Sequence, residues 1–538
     1  MRKTAIIGLS LCLSLGLSLM ASLSHAADKW IVAQSPNFTV YSNVNAKATE
    51  AYVRNLEKFR YIIGAFYGLS GPDAEPQPRM RMYFLSSRSD LKQVWPRMDS
   101  DVAGFVRICA AGITGFSTYE GDTIASASKV QNLAENTSQH FFFHEYTHIF
   151  MFQNSQIFYP RWFVEGFAEY YGTTKILNDE AVVGMALSWR IRELNSPGAL
   201  SYEEILRDAP STRRPRTNFY AQSWLLTHWI LSDPARREAF RHYLERRSKG
   251  EDAVVAFEAA FSVPVKSLSS VLWSYMNSLK ATVYRIRDMP DPKISLSPMP
   301  VSADKLALWD AASMTCIPRD YRTALLEKVQ KEAARYPDDA YAQGVLARAE
   351  IQHGDEQKGL AYYQTYTAAH PDDAEGFYRL GQTWYLMSVH KLFQPGETFD
   401  SQMRKAREAF RKAYALDPMN ASNLNYLARA AKMGPDYPDD NTVNAAYQAH
   451  ILAPAVRDYA LFAAQLLIRR DRLGEAADVL RPLANDPHGS AAAERLGGIV
   501  AAIDAGKSKA EVLDMLKAPA AKPNATDDDE DGKKDGNT

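Results

Sequence analysis

His144-Glu145-Tyr146-Thr147-His148 is the stretch of this chain whose residue types and spacing hold the most chemistry. Helix positions four apart lie on one face, so His144 and His148 can aim both imidazoles at one point. Sixteen residues separate His148 from Glu165, which stands in Trp162-Phe163-Val164-Glu165-Gly166-Phe167-Ala168-Glu169-Tyr170. Two histidines and a carboxylate from a second segment make the ligand set of an open zinc site, with the fourth position left to water. Glu145 directly follows the first ligand, where a general base takes a proton from that water. The pattern predicts a zinc-dependent peptidase with one Zn²⁺ per chain, held by His144, His148 and Glu165.

Phe141, Phe142, Phe143, Ile149, Phe150, Met151 and Phe152 surround the motif with large apolar side chains, so the helix is expected to be buried on most of its surface. Ionisable groups inside a core are costly without a partner such as a metal. With the Trp-x-x-Glu-Gly-x-Ala-x-Tyr context, the spacing resembles the gluzincin metallopeptidases, and most closely their peptidase MA-like group. In that family the Glu of the Glu-Gly-x-Ala segment is the third ligand, which maps to Glu165. Glu169, one helical turn later, faces the same side, and the resemblance implies that it orients a ligand histidine by accepting its other N–H. His140 is also in register, but a fourth nitrogen ligand would close the site to water, so it is read as structural.

Asn218-Phe219-Tyr220-Ala221-Gln222-Ser223-Trp224-Leu225-Leu226 resembles the helix that supplies an oxyanion-binding tyrosine in the aminopeptidase N group. The resemblance gives that role to Tyr220, whose phenol donates a hydrogen bond while staying neutral. Core packing is the competing role for Tyr220, and His228 further along reads as a packing or surface histidine. Aminopeptidases of this clan carry an acidic amine anchor on the strand before the zinc helix. Gly112-Ile113-Thr114-Gly115-Phe116 has none. An endopeptidase is therefore expected, with Gly112 and Gly115 letting a substrate backbone approach and pair with that strand.

The elements that must position these groups follow from periodicity. Phe38 to Ser42 alternates as a strand, Ala46 to Leu69 is helical, and Met80, Met82 and Phe84 make one face of a second strand. Asn154 to Pro160 provides the turn between the two zinc helices, and the chain then reads as mostly helix to about Arg287. The fold class expected is α+β: a small mixed sheet with active-site helices and a helical subdomain, followed by an all-α solenoid. The domains are 1–26 signal peptide, 27–288 peptidase, 289–303 Pro-rich linker, 304–516 helical repeats and 517–538 acidic tail.

The repeats rest on Pro337-Asp338-Asp339-Ala340, which recurs 34 residues later as Pro371-Asp372-Asp373-Ala374. That is the period of tetratricopeptide repeats, and Pro418, Pro454 and Pro487 continue the series. Phe377, Leu380, Gly381 and Trp384 stand at that family's Trp-x-x-Leu-Gly-x-x-Tyr positions. Ser388 to Asp400 reads as an insertion.

Arg2 and Lys3, an apolar run from Ala5 to about Leu23 and Ser24-His25-Ala26 predict a secretory signal cleaved after Ala26, with an uncleaved anchor as the rival. A periplasmic or secreted protein is expected. Its remaining cysteines, Cys109 and Cys316, can pair or stay as buried thiols. A net charge of −1 with both signs mixed gives no electrostatic case for nucleic acid. Expected partners are a peptide or protein substrate and a protein recruited by the repeats, with no stable membrane span after cleavage. The alternative function is a repeat-based adaptor whose peptidase-like domain does not turn over. The presence of Glu145 favours the enzyme, because a purely structural zinc site has no use for a base.

Overall fold

A computed structural model of the chain describes residues 30–69, 77–98, 102–109, 111–119, 137–155, 159–177, 179–207, 216–432, 434–484 and 491–517. The expected signal peptide and the expected tail beyond residue 517 lie outside these residues. The chain opens with β1 (Ile31–Gln34) and β2 (Phe38–Ser42), in which Phe38, Val40 and Ser42 are buried in strict alternation. In α1 (Ala46–Phe66), Tyr52, Val53, Leu56, Phe59, Ile62 and Ile63 line one face, and Asn45 caps the start by accepting from Ala48 N. Next come β3 (Met80–Leu85), α2 (Arg88–Val94), β4 (Gly104–Cys109) and β5 (Gly112–Thr118). The two motif helices follow, α3 (Thr137–Asn154) and α4 (Arg161–Gly172).

After them the chain forms β6 (Lys175–Ile176), β7 (Glu180–Val183), α5 (Ser188–Leu194), α6 (Tyr202–Leu206) and α7 (Arg216–Leu231). Then come α8 (Pro234–Ser248), α9 (Ala253–Phe261), α10 (Val265–Met276), β8 (Thr282–Arg285) and β9 (Ser295–Pro298). One expectation holds with an addition and one is corrected. The stretch up to Arg287 is mostly helix, α5 to α10, and also contains a three-stranded antiparallel sheet of β6, β7 and β8. The segment expected to be a linker contains β9, which pairs antiparallel with β1 from Ile31↔Pro298 to Gln34↔Ser295.

The main sheet is mixed and runs β4-β5-β3-β2-β1-β9. Its two faces feed two cores, as the two-residue period of strands requires. Phe38, Val40, Met82 and Phe84 face one way, into a core shared with Phe59 of α1 and Phe142, Phe143 and Phe150 of α3. Trp30, Tyr83, Leu85 and Phe116 face the other way, against α11 (Ala303–Ser313), α12 (Arg319–Ala333) and α13 (Ala340–His353).

From α11 onward the C-terminal half is a run of helix pairs. It continues with α14 (Glu356–Ala369), α15 (Ala374–Val389), α16 (Phe399–Leu416), α17 (Ala421–Arg429) and α18 (Asp440–Leu452). The run ends with α19 (Arg457–Arg469), α20 (Leu473–Ala484), α21 (Ala491–Asp504) and α22 (Lys509–Lys517). The recurring Pro-Asp-Asp-Ala has a local cause: its second Asp is the helix cap. Asp339 accepts from Tyr341 N and Ala342 N to start α13, and Asp373 accepts from Glu375 N to start α15. Gly381 brings α15 against α16, since a Cβ there would lie 2.6 Å from the Phe410 ring. At the β4–β5 hairpin, Ile113 reaches the later pairs and packs with Leu424, Val456 and Tyr459. The Cys109 thiol donates to Met314 O at 3.2 Å and lies against Cys316, without a disulfide between them. No single described helix is long and apolar enough to cross a membrane.

Candidate metal centre

The apolar flanks of the motif fix α3 in place. Phe143 stacks on Phe59 at 3.7 Å, Tyr146 meets Phe38 at 5.5 Å, and Phe142 packs under Gly115 of β5. With those faces in the core, His144 and His148 emerge together toward α4, both under a tenth exposed. The second helix starts where Pro160, in extended conformation, ends the turn, and from Trp162 to Gly172 every residue is buried. Phe163 packs on Phe240 with ring centres 4.2 Å apart, which anchors one side of α4 and leaves Glu165 directed at the histidines.

His144 Nε2 and His148 Nε2 lie 3.1 Å apart, and Glu165 Oε2 is 3.4 Å from the first and 3.5 Å from the second. A tetrahedral ion bonded at 2.0–2.1 Å separates neighbouring ligands by about 3.3–3.4 Å, so the three atoms lie near the spacing that a small tetrahedral metal ion requires. Glu165 is fully buried, and the polar groups facing its Oε2 are the two imidazoles. A carboxylate in that condition is costly unless a cation shares the site. His144, His148 and Glu165 thus form a buried group able to hold a metal ion. Burial works to raise the Glu165 pKa, but His148 and His144 outweigh it and hold the carboxyl well below its ordinary range.

Glu169, one turn along α4, is the hub of the next layer. Its Oε1 lies 3.3 Å from His144 Nδ1, and its Oε2 lies 3.7 Å from His140 Nε2. Burial opposes charge on His144, yet Glu165 and Glu169 override it and lift the imidazole to about 10. His140 goes the other way: burial dominates the pull of Glu169 and lowers it to about 4. His140 is outside the metal-holding group, and its ring fills the space that a side chain on Gly172 would take.

Arg190 of α5 makes a fork on Glu169, with Nε 3.0 Å from Oε2 and Nη2 bonded to Oε1. Its third nitrogen, Nη1, reaches Glu193 Oε2 at 2.6 Å. The same guanidinium lies 5.5 Å from the centre of the Tyr220 ring. Sequence reasoning missed Arg190: it belongs to no motif, on a seven-residue helix with no buried residue of its own to set a period.

Tyr220 of α7 is buried, and its phenol is raised above its ordinary value by burial, then by the charge of Glu165, with Glu145 and Glu169 adding to it. Arg161 pulls the other way, and the three carboxylates and burial outweigh it. Glu145 is half-buried on α3, and no ion pair engages it among the described residues. His228 is a packing histidine, with Nδ1 2.7 Å from Tyr275 Oη and Nε2 2.9 Å from Gly184 O.

Gly112 and Gly115 do not sit on a free strand edge. Strand β5 is paired on both sides, with β3 through Met82↔Gly115 and with β4 through Val106↔Gly115. Gly112 opens β5 at the hairpin with φ 109°, a left-handed conformation that suits glycine. A Cβ on Gly115 would strike Met82 and Phe142, so this glycine lets α3 lie close on the sheet. The backbone pairing expected at these glycines has no free edge there; on that side of the sheet β4 is outermost. Compared with known proteins, the chain matches no family model and no curated protein.

Proposed function

We propose that the chain is a zinc-dependent hydrolase of peptide bonds, acting within polypeptides, with one Zn²⁺ held by His144, His148 and Glu165. The observation that carries this reading is the buried donor triad with zinc-like spacing and a half-buried glutamate, Glu145, one residue from the first ligand. A zinc ion there supplies Lewis acidity to a water and to the scissile carbonyl. Glu145 takes the proton of the attacking water and returns it to the leaving amine. Tyr220 donates to the oxygen on which charge develops, and its raised pKa keeps the phenol protonated for that task. Glu169 holds His144 in the orientation that presents Nε2.

The helix pairs serve as tetratricopeptide repeats that recruit a protein substrate or partner, a role supported by the recurring capping motif. Since one face of α11 to α13 is taken up by the sheet, the later pairs leave more surface for recruitment. The basic-then-apolar N-terminus supports a periplasmic or secreted location.

The test measures zinc content and cleavage of a mixed-peptide library for the wild type and for Glu145→Gln. One zinc per chain in both, with cleavage by the wild type alone, is the expected result. Equal cleavage by both removes Glu145 as the base, and zinc in neither removes the metal reading.

A further inference from the structure

We infer that Arg190 is a positioning residue for the metal centre: through its fork on Glu169 it fixes the His144 imidazole, and the same guanidinium steadies the ring of Tyr220. The inference rests on the zinc reading above and extends it to α5, an element outside the ligand motif.

Glu169 has competing claims on it, because its two oxygens face His144 Nδ1 at 3.3 Å and His140 Nε2 at 3.7 Å. A carboxylate between two imidazoles can rotate to favour either. The Arg190 fork removes that freedom, since parallel N–H donors bind both oxygens in one plane. Glu193 in turn fixes the guanidinium from its far side. Both partners of the fork are shielded from water, Arg190 at 12% side-chain exposure and Glu169 at 3%. An ammonium cannot reproduce this geometry, because it is a point donor without the planar fork. Over Tyr220 the guanidinium contributes a cation–π contact, which constrains the ring. One side chain thus sets the relation between a ligand histidine and the phenol expected to meet the substrate.

The test is Zn²⁺ affinity, by competition with a chromophoric chelator, for the full chain and for Arg190→Met, Arg190→Lys, Glu169→Gln and the Arg190→Met/Glu169→Gln double variant. Thermal melts of the metal-free proteins run alongside. Arg190→Met and Glu169→Gln should each weaken zinc binding about 10–100-fold. The double variant should be little worse than Glu169→Gln alone, because Arg190 acts through that carboxylate. Arg190→Lys should recover only part of the loss. Should Arg190→Met fail to fold, Arg190→Lys combined with Glu169→Gln closes the same cycle. A lowered melting temperature with unchanged zinc affinity would overturn the inference, as would losses that multiply in the double variant or tighter binding once the positive charge is gone. If the wild type holds no zinc, the metal reading fails and the inference fails with it. If the wild type holds zinc and the Arg190 variants match it, the inference alone fails.

Discussion

Gly166 meets the backbone of Ser223 directly: a Cβ on Gly166 would lie 2.7 Å from the Ser223 carbonyl carbon and closer still to its oxygen and to Thr227 Oγ1. Helices α4 and α7 touch main chain to main chain at that point. Glu165 is the neighbour of Gly166, and Tyr220 stands one turn before Ser223. A single close contact therefore sets the separation of Glu165 and the Tyr220 phenol.

Gly166→Ala should destabilise the protein by about 1–3 kcal/mol, because the Thr227 hydroxyl can turn away but the Ser223 carbonyl is backbone and cannot rotate aside. Urea unfolding of the metal-free protein measures this. An unchanged midpoint would mean that α4 and α7 slide apart without cost.

Zinc should raise the melting temperature of the wild type. At a free concentration of 100 Kd, linkage gives about 2.7 kcal/mol of added stability. His148→Ala should fold and lose this response, since it removes a donor 3.1 Å from its partner nitrogen. Calorimetry with and without a chelator decides it. A His148→Ala protein with the full wild-type response would place the metal elsewhere.

Zinc uptake near neutral pH should release about one proton, because the His144 imidazole, lifted to about 10 in the metal-free protein, must be neutral to bind metal. Affinity should then rise with pH up to about 10. In the metal-free protein the stability from this raised pKa is fully present below about 6.5 and is lost as pH climbs toward 10. Glu165 has the opposite sign: its depressed pKa stabilises above the ordinary carboxylate range, and that contribution is lost in acid. Titration calorimetry in buffers of different ionisation enthalpy counts the protons, and a count of zero would contradict the protonated His144.

Tyr220→Phe should leave zinc content and KM nearly unchanged and lower kcat about 100–1,000-fold, the usual cost of one oxyanion donor. A change confined to KM would make Tyr220 a binding residue instead.

Much of this centre was legible because its parts are local. His144, Glu145 and His148 share one helix, and Glu165 and Glu169 share the next, so the 3.6-residue period alone aligns them. Strand β2 and helix α1 were legible for the same reason. What the sequence hid is non-local or short. Arg190 arrives through the docking of α5 against α7, which no period announces. Strand β9 has four residues, all exposed, and ends in a proline that only an edge position tolerates, so it read as linker. The strands β6 to β8 are two to four residues long, too short for alternation to show. The glycines of β5 read as an invitation to substrate, whereas Gly115 makes room for Phe142 and Met82.

A chain ended at residue 288 should not fold as an independent unit, because it lacks β9 and leaves Trp30, Tyr83 and Phe116 without α11 to α13. Dye binding to exposed apolar surface and loss of a cooperative melt are the expected signs. A sharp melt from that fragment would show that the sheet needs only one covered face.

The pairing of Ile31 with Pro298 also fixes an order of events during synthesis. The ribosome delivers α3 and α4, with their histidines and glutamates, long before Pro298 exists. A nascent chain thus has its ligand helices while the outer edge of β1 is open and one side of the sheet is bare. Domains generally complete folding as units once their last element emerges. The late-arriving helices finish the floor under a centre whose ligands were made first, and until then the newborn protein depends on whatever shields its uncovered strands.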